Sequence, residues 1–316
     1  MVALLLRRIA SLILTLVAVS VLIYGIMDLL PGDPAAIALG TSAAADTLAA
    51  LRQEMGLDQP LPLRYVHWLA GLFSGDLGSS YTYGVPVAGL VVERLSLTLP
   101  LAALAIVLSV LIAVPLGVTA AARRNGFIDH AASIFAQISI AVPGFWLGLL
   151  LIMLFAVELG WTPAGGFPGW QAGLLPCFGA LALPAVALAL PQAGVLTRVT
   201  RAAVLDVLSE DFVRTARAKG ISRQVALWRH AMPNAMVPVI TILGLQFTFL
   251  VAGAVLVENV FNLPGLGRLA YQALVQRDIV VMQAVILVFS VLVIVVNFIV
   301  ELAQLVLDPR MRSDAA

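Results

Sequence analysis

The chain has 316 residues, of which 61% are hydrophobic and only 11% charged, with a formal net charge of +1. Its mean hydropathy is +1.04. Soluble domains carry about 25% charged residues, so too little polar surface is present to cover a soluble globule, and the class is a polytopic membrane protein. One cysteine, Cys177, excludes an intrachain disulfide and a cysteine-based metal cluster.

The first element is the apolar run from about residue 9 to residue 30. It is longer than the h-region of a signal peptide and has no small-x-small cleavage site directly after it, so it reads as a retained first span. Residues 31–97 form a long connection with its own pattern. Asp46 is placed to cap a short helix with Leu48, Leu51 and Met55 on one face, stopped by Gly56. A second helix is expected near Leu63–Phe73, ending at "SGDLGSS". A third, "VPVAGLVVERL", is expected to lie along the membrane surface before Pro100 opens the second span. The three helices make either a small cap or a mere linker.

Five further runs are long enough to cross a hydrocarbon core of about 30 Å at 1.5 Å per residue. They cover residues 98–121, 131–158, 178–198, 235–257 and 280–307. Strict two-residue alternation is missing, so the expected architecture is an all-α bundle of six transmembrane helices. Pro115, Pro143, Pro184, Pro191 and Pro238 lie inside spans, where each favours a kink. Such kinks suit either a protein that rearranges or static packing. The loop "GWTPAGGFPGWQAGLLPC" places Trp161 and Trp170 at an interface. "NLPGLG" reads as a tight turn.

Cations set the orientation. Arg7, Arg8, Arg123, Arg124, Arg198, Arg201, Arg214, Arg217, Lys219, Arg223, Arg229, Arg310 and Arg312 fall on one side; Arg52, Arg64, Arg94, Arg268 and Arg277 fall on the other. Thirteen against five puts both termini and residues 199–234 in the cytoplasm. The domain reading is residues 1–30 (cytoplasmic end and first span), 31–97 (extracytoplasmic insertion) and 98–316 (five-span core containing the loop 199–234).

The 199–234 stretch is the polar exception in an apolar chain. Leu205, Leu208, Phe212 and Ala216 recur at helical spacing. Glu210 and Asp211 precede Arg214, Arg217 and Lys219, the order the helix dipole favours. Gly220 stands where a left-handed cap belongs, and Ser222 can cap a second helix with Val225, Trp228 and Met232 as its apolar stripe. Pro233 and Asn234 would close that helix before the fifth span. The shape fits a cytoplasmic knob or, equally, a surface helix held on anionic lipid by arginines worth about 1 kcal/mol each.

Other chemistry is disfavoured. The three histidines are dispersed, and no HExxH spacing occurs. No phosphate loop is present, because Lys219 is followed by Gly220 rather than Ser or Thr. No nucleophile–base pair stands out, which argues against a membrane enzyme. No span holds a set of ionisable groups for a proton relay; Glu301, near the end of the last span, reads as a snorkelling or capping residue. Gln137, Ser139, Gln246 and Asn297 are the deepest polar residues. Each reads as an interhelical hydrogen-bonding group, with lining of a translocation path as the other possibility.

The stretch "RTARAKGISRQVALWRHAMP" resembles the coupling loop of bacterial ABC importer permeases. That family's pattern is Glu-Ala-Ala, three residues, Gly, nine residues, Ile-x-Leu-Pro. Here Arg214, Thr215 and Ala216 stand at the first three positions, Arg217, Ala218 and Lys219 precede Gly220, and His230, Met232 and Pro233 fill the last positions. The leading acid is missing. In that respect the stretch is similar to the dipeptide, oligopeptide and nickel branch. "LLPGDPA", "GLDQPLPLRY", "GDLGSSY", "VPGFWLGLLLI" and "VENVFNLPGLGRL" resemble the same branch, so the likeness runs from Arg7 to Pro309.

The resemblance implies a type I importer permease bundle in the bacterial inner membrane. The chain would be one of two permease subunits, a heterodimer with a sister permease rather than a homodimer. Two ATPase subunits would carry ATP and Mg, and an extracytoplasmic binding protein would deliver substrate. The chain itself would be no enzyme and would bind no cofactor, metal or nucleic acid. Arg214, Arg217 and Lys219 would lie at or beside the ATPase contact, or pair with Glu210 and Asp211. Phe212, Val225 and Trp228 would pack the hairpin or fill the ATPase groove, with packing expected for at least one. Residues 31–97 would dock the binding protein. Short peptides are the expected substrate, with nickel chelates or glutathione as alternatives on the same machinery. A secondary transporter working alone is the competing reading.

Overall fold

The structure is a computed structural model and describes residues 2–29, 34–39 and 44–307. Part of "LLPGDPA" and the cations Arg310 and Arg312 lie outside these residues. The described chain is helical, with one isolated antiparallel bridge between Ser79 and Pro86 and no strand among the described residues. The helices in chain order are α1 (Val2–Leu29), α2 (Pro34–Leu39), α3 (Ala45–Glu54), α4 (Leu61–Phe73), α5 (Val87–Ala122), α6 (Phe127–Ala141) and α7 (Gly144–Leu151). After them come α8 (Leu174–Leu208), α9 (Asp211–Ala218), α10 (Arg223–Val225), α11 (Met232–Val260), α12 (Leu266–Gln276) and α13 (Ile279–Leu307). Two π-helical stretches extend neighbours: Ile152–Glu158 continues α7, and Ala226–Ala231 joins α10 to α11.

Among the described residues, five helices are long and apolar enough to cross a membrane. The sixth expected span, residues 131–158, is broken. α6 ends at Ala141, and the chain bends by 99° before Gly144–Glu158. Pro143 is the cause: it lacks an N–H and pushes Val142 into extended backbone (φ −89°, ψ 120°). A sixth span exists only if the bent pair counts as one.

Other boundaries also differ from expectation. α5 runs unbroken from Val87 through Pro100 and Pro115, so "VPVAGLVVERL" is the first part of the second long helix rather than a separate surface helix. Pro100 sits inside it instead of opening it. α8 extends through Arg198 and Arg201 to Leu208, absorbing the first ten residues of the expected loop. Asp46 does not cap α3: it lies in the helix's first turn, where its charge favours the dipole, and the cap position is Ala44. Gly56 does end α3 as expected, at φ +64°. The connection between the last two expected spans contains a further helix, α12, with Leu266, Leu269 and Ala273 on its buried face.

The chain divides into two compact units. One comprises residues 9–98 and 264–294. Its core joins Val87 and Val91 of α5, the buried face of α12, and Val281, Ala284 and Val285 of α13. Asp278, 1% exposed, fastens the segment before α5 to the start of α13. Its carboxylate accepts from the Ser80 hydroxyl, the Thr82 amide (3.2 Å) and the Val281 amide (3.2 Å). α4 is held on α1 by Ser20 and Tyr65 hydroxyls 2.8 Å apart and by the rings of Tyr24, Tyr65 and Trp68, whose centroids lie 5.3–6.0 Å apart.

The other unit comprises residues 1–8, 99–263 and 295–316 and is built around α8. α6, α7 and α11 pack on it. Small residues let the backbones approach, as is usual between membrane helices. A Cβ on Gly194 would stand 2.8 Å from the Ser139 Cβ and 2.9 Å from the Ala136 carbonyl oxygen; one on Gly117 would stand 2.7 Å from the Thr200 Cβ. Arg8 and Glu301 form an ion pair, a partner for Glu301 that the sequence reading did not identify.

Candidate functional site

The candidate site is the loop that leaves α8 and returns through α11. Its foundation is apolar. Val118 and Ala121 of α5, Ala203 and Val204 of α8, Leu227 and Ala231 of the π stretch, and Met232 and Ala235 of α11 form one buried cluster. Truncating its one leucine, Leu227, to alanine would cost about 2–5 kcal/mol. The loop therefore rests on the ends of three long helices and is not a free tail.

Ser209 and Glu210 break the helix before α9 begins, so α9 is a separate short helix of eight residues. The break shifts its inner face. Val213 (1% exposed) and Ala216 (7%) turn inward, and α9 packs on the π stretch. Phe212, expected to continue the stripe of Leu205 and Leu208, is turned out and 44% exposed.

Gly220 makes the turn between the two halves at φ +87°, a region that L side chains avoid. A Cβ there would meet nothing within 4 Å, so the requirement for glycine is one of backbone conformation alone. Ser222 then caps α10, accepting from the Val225 amide at 3.4 Å. The second half does not end at Pro233. It widens into the π stretch 226–231 and continues as α11, with Pro233 at its first turn. A proline there removes an N–H that a regular helix would aim at a carbonyl of the preceding turn, and a π turn is a common accommodation of such a register shift. The Asn234 side chain donates to the His230 carbonyl at 3.1 Å.

The outer surface holds the rest. Val225 (46%) and Trp228 (59%) are exposed like Phe212, so none of the three packs the loop as expected for at least one of them. Their inward counterparts are Val213, Ala216, Ala226, Leu227 and Ala231. Thr215, Ala218 and Pro233 are exposed, His230 is half-buried and Met232 is buried. Arg214 pairs with Asp211 at 3.5 Å, but both are open to solvent, where such a pair contributes little. Arg217 and Lys219 are exposed, and neither has an ion-pair partner among the described residues. The outer face is thus aromatic and aliphatic side chains among cations.

Two anchors escaped the sequence reading. Arg223 donates to the Ala122 carbonyl at 2.7 Å, ligating the C-terminal end of α5, where free carbonyls favour a cation. Asp129, 3% exposed at the start of α6, takes both arms of Arg201 from α8, with Nη2 at 2.8 Å, and the Asn125 amide at 2.9 Å. These contacts lie 101 and 72 residues apart in the chain, beyond any local motif.

Of the deep polar residues, Gln137 is exposed and the other three meet neighbouring helices. Ser139 packs on Gly194, and Asn297 lies against Gly244. Gln246 donates to the Gln192 carbonyl at 2.9 Å, while its own side-chain oxygen is buried without a partner. Among the described residues no group of histidines, cysteines and acids could hold a metal.

Residues 113–313 match the family described as binding-protein-dependent transport system inner membrane component, and residues 1–102 match its N-terminal region. A Sinorhizobium fredii protein named "Probable peptide ABC transporter permease protein" is 41% identical over 307 residues, covering 97% of this chain and 98% of its own length. A glutathione transport system permease of Salmonella choleraesuis is 40% identical over 307 residues, with the same shares covered. Among solved structures, an inward-facing MetNI methionine ABC transporter chain superposes with a TM-score of 0.59 at 19% identity, covering 69% of this chain and 96% of that one. The chain belongs to the family of binding-protein-dependent transport system inner membrane components, and is a multi-pass permease of the inner membrane.

Proposed function

We propose, from membership of that family, that the chain is a permease subunit of an ATP-driven importer of dipeptides or other short peptides, and that residues 211–233 receive the ATPase. Glutathione, named for the Salmonella relative, is itself a tripeptide and falls in the same class. The observation that carries the ATPase reading is the outward placement of Phe212, Val225 and Trp228 on a loop whose inner face is already filled. Exposed aromatic side chains beside arginines are the residue types that dominate protein–protein contacts. Without a phosphate loop of its own, the chain takes its energy from partner subunits that hold ATP and Mg. It binds no cofactor itself.

The mechanism follows from how the loop is mounted. A partner gripping the outer face moves α9 and the π stretch. Leu227, Ala231 and Met232 carry the displacement into α5, α8 and α11, because a packed core transmits strain. Arg223 ties it to the end of α5. Asp129 and Arg201 make α6 follow α8. Closure of two ATPases around ATP would swing the bundle of this chain and its sister permease from inward-open to outward-open. Residues 31–97 supply the surface for the substrate-binding protein.

Cross-linking tests the contact. Cys177 is the sole cysteine and is buried, so Val225→Cys introduces the one reactive thiol on this loop. A thiol cross-linker in membranes of cells expressing the full transporter should join it to an ATPase subunit. Exclusive capture of lipid, with the ATPases present, would refute the contact.

A further inference from the structure

The unit that contains residues 9–98 and 264–294 holds a cavity of about 610 Å³, which the coupling role does not use. Pockets that bury a ligand span roughly 300–1,000 Å³. This one lies between the end of α1, the helices α3 and α4, the segment before α5 and the start of α13.

Its buried charges are already committed. Arg64 meets Asp28 at 2.9 Å and hydrogen-bonds the Tyr24 hydroxyl. Arg52 is engaged as well, and His67 is exposed. What remains for an occupant is uncharged. Met27, Met55, Leu57, Leu77, Ile279 and Val280 supply apolar surface beside the Trp68 ring. Methionine side chains adapt to the shape of what they receive. One polar group stands among them. Gln283 is 8% exposed, lines the cavity and makes no hydrogen bond among the described residues, so its amide is left to the cavity.

These features select among occupants. A short peptide with free termini would bring two charges to groups that are already paired, and burying an unpaired charge is costly. A lipid acyl chain would fill the apolar surface and leave the Gln283 amide unmet, which is also unfavourable. A residue inside a protein loop carries no terminal charge. Its side chain suits the methionines and Trp68, and its peptide N–H and C=O can be met together by one carboxamide. The helices α3 and α4, which wall the cavity, belong to the insertion that receives the substrate-binding protein in the function proposed above.

We propose that the cavity is a socket for an apolar residue on a loop of the substrate-binding protein, its side chain against Trp68 and the methionines and its peptide group on Gln283. The proposal rests on residues 31–97 being the docking surface for that protein.

The test is thiol protection in the complete transporter in nanodiscs. Cys177 is buried, so Leu57→Cys places the one reactive thiol in the socket. Thr47→Cys and Ser74→Cys, in separate variants, place it at exposed positions of the insertion outside the cavity. The binding protein should slow maleimide labelling of Leu57→Cys at least tenfold. With the permease alone, N-acetyl-phenylalanine amide should slow the same labelling saturably. Alanyl-phenylalanine, which has free termini, should need at least tenfold higher concentration. Gln283→Leu should weaken association of the binding protein at least fivefold at unchanged melting temperature; the peptide comparison needs no change at Gln283. Protection of Thr47→Cys or Ser74→Cys without protection of Leu57→Cys overturns the socket and leaves the docking surface standing. Protection of none of the three, with the binding protein bound, removes both. Equal potency of the two peptides, or undiminished association by Gln283→Leu, also overturns the proposal. So does a Leu57→Cys thiol that lipid alone shields, reactive in delipidated detergent and blocked in nanodiscs.

Discussion

Trp228→Ala is the most informative substitution in the loop. The side chain is 59% exposed, so its removal leaves the permease fold nearly untouched. A tryptophan offers up to about 250 Å² of surface. The exposed share is then about 150 Å², and at about 25 cal/mol per Å² its burial by a partner contributes about 3–4 kcal/mol. Incomplete coverage brings the expected loss to about 3 kcal/mol, which is about a hundredfold in affinity. The assay is binding of purified ATPase subunits to the permease pair in nanodiscs, at moderate salt, with melting temperature as the control. A hundredfold weaker association at unchanged melting temperature is expected. Leu227→Ala, one residue away but 6% exposed, should instead lower the melting temperature. Undiminished ATPase binding by Trp228→Ala would refute the reasoning that the outward apolar face is the contact.

Gly220→Val should insert normally yet lose most ATP-dependent uptake, because φ +87° strains a β-branched residue by about 1–3 kcal/mol; Gly220→Asn, which tolerates left-handed backbone better, should lose less. Asp129→Asn should lower thermal stability in detergent by about 2–3 kcal/mol, since it strips a partly covered Arg201 of its counter-charge, and a double-mutant cycle with Arg201→Gln should show coupling. Arg223→Gln should weaken ATPase binding far less than Trp228→Ala and reduce uptake per ATP hydrolysed, measured together in proteoliposomes, because the tie to Ala122 is lost. Gly194→Val should fail to give folded permease by size exclusion, as Ser139 and the Ala136 carbonyl occupy the space.

Long-range regularities survived the passage from sequence to structure better than local ones. Apolar length located every long helix, because a hydrocarbon layer imposes a length on whatever crosses it. The turn at Gly220 and the cap at Ser222 were legible, since each depends on one residue type in one backbone conformation. Prolines misled in both directions. Pro100 and Pro233 sit in continuing helices, while Pro143 bends its chain by 99°; what decides is whether neighbours absorb the missing N–H, and that is tertiary. Phe212 was assigned to a stripe that the break at Ser209 and Glu210 rotates outward. Such a rotation leaves no trace in spacing alone. The Asp129–Arg201 pair and the Arg223 tie to Ala122 join segments far apart in the chain, so no periodicity could announce them. Asp129 was nevertheless a lone acid in an otherwise cationic connection, which is a signal of a kind.

The most direct measurement is solute accumulation by proteoliposomes containing this chain. Reconstituted with the proposed sister permease, ATPase pair and binding protein, it should accumulate peptide only when ATP is supplied to the ATPase side, and Trp228→Ala should abolish most of that accumulation. Accumulation against a gradient by this chain alone, without nucleotide, would contradict the account.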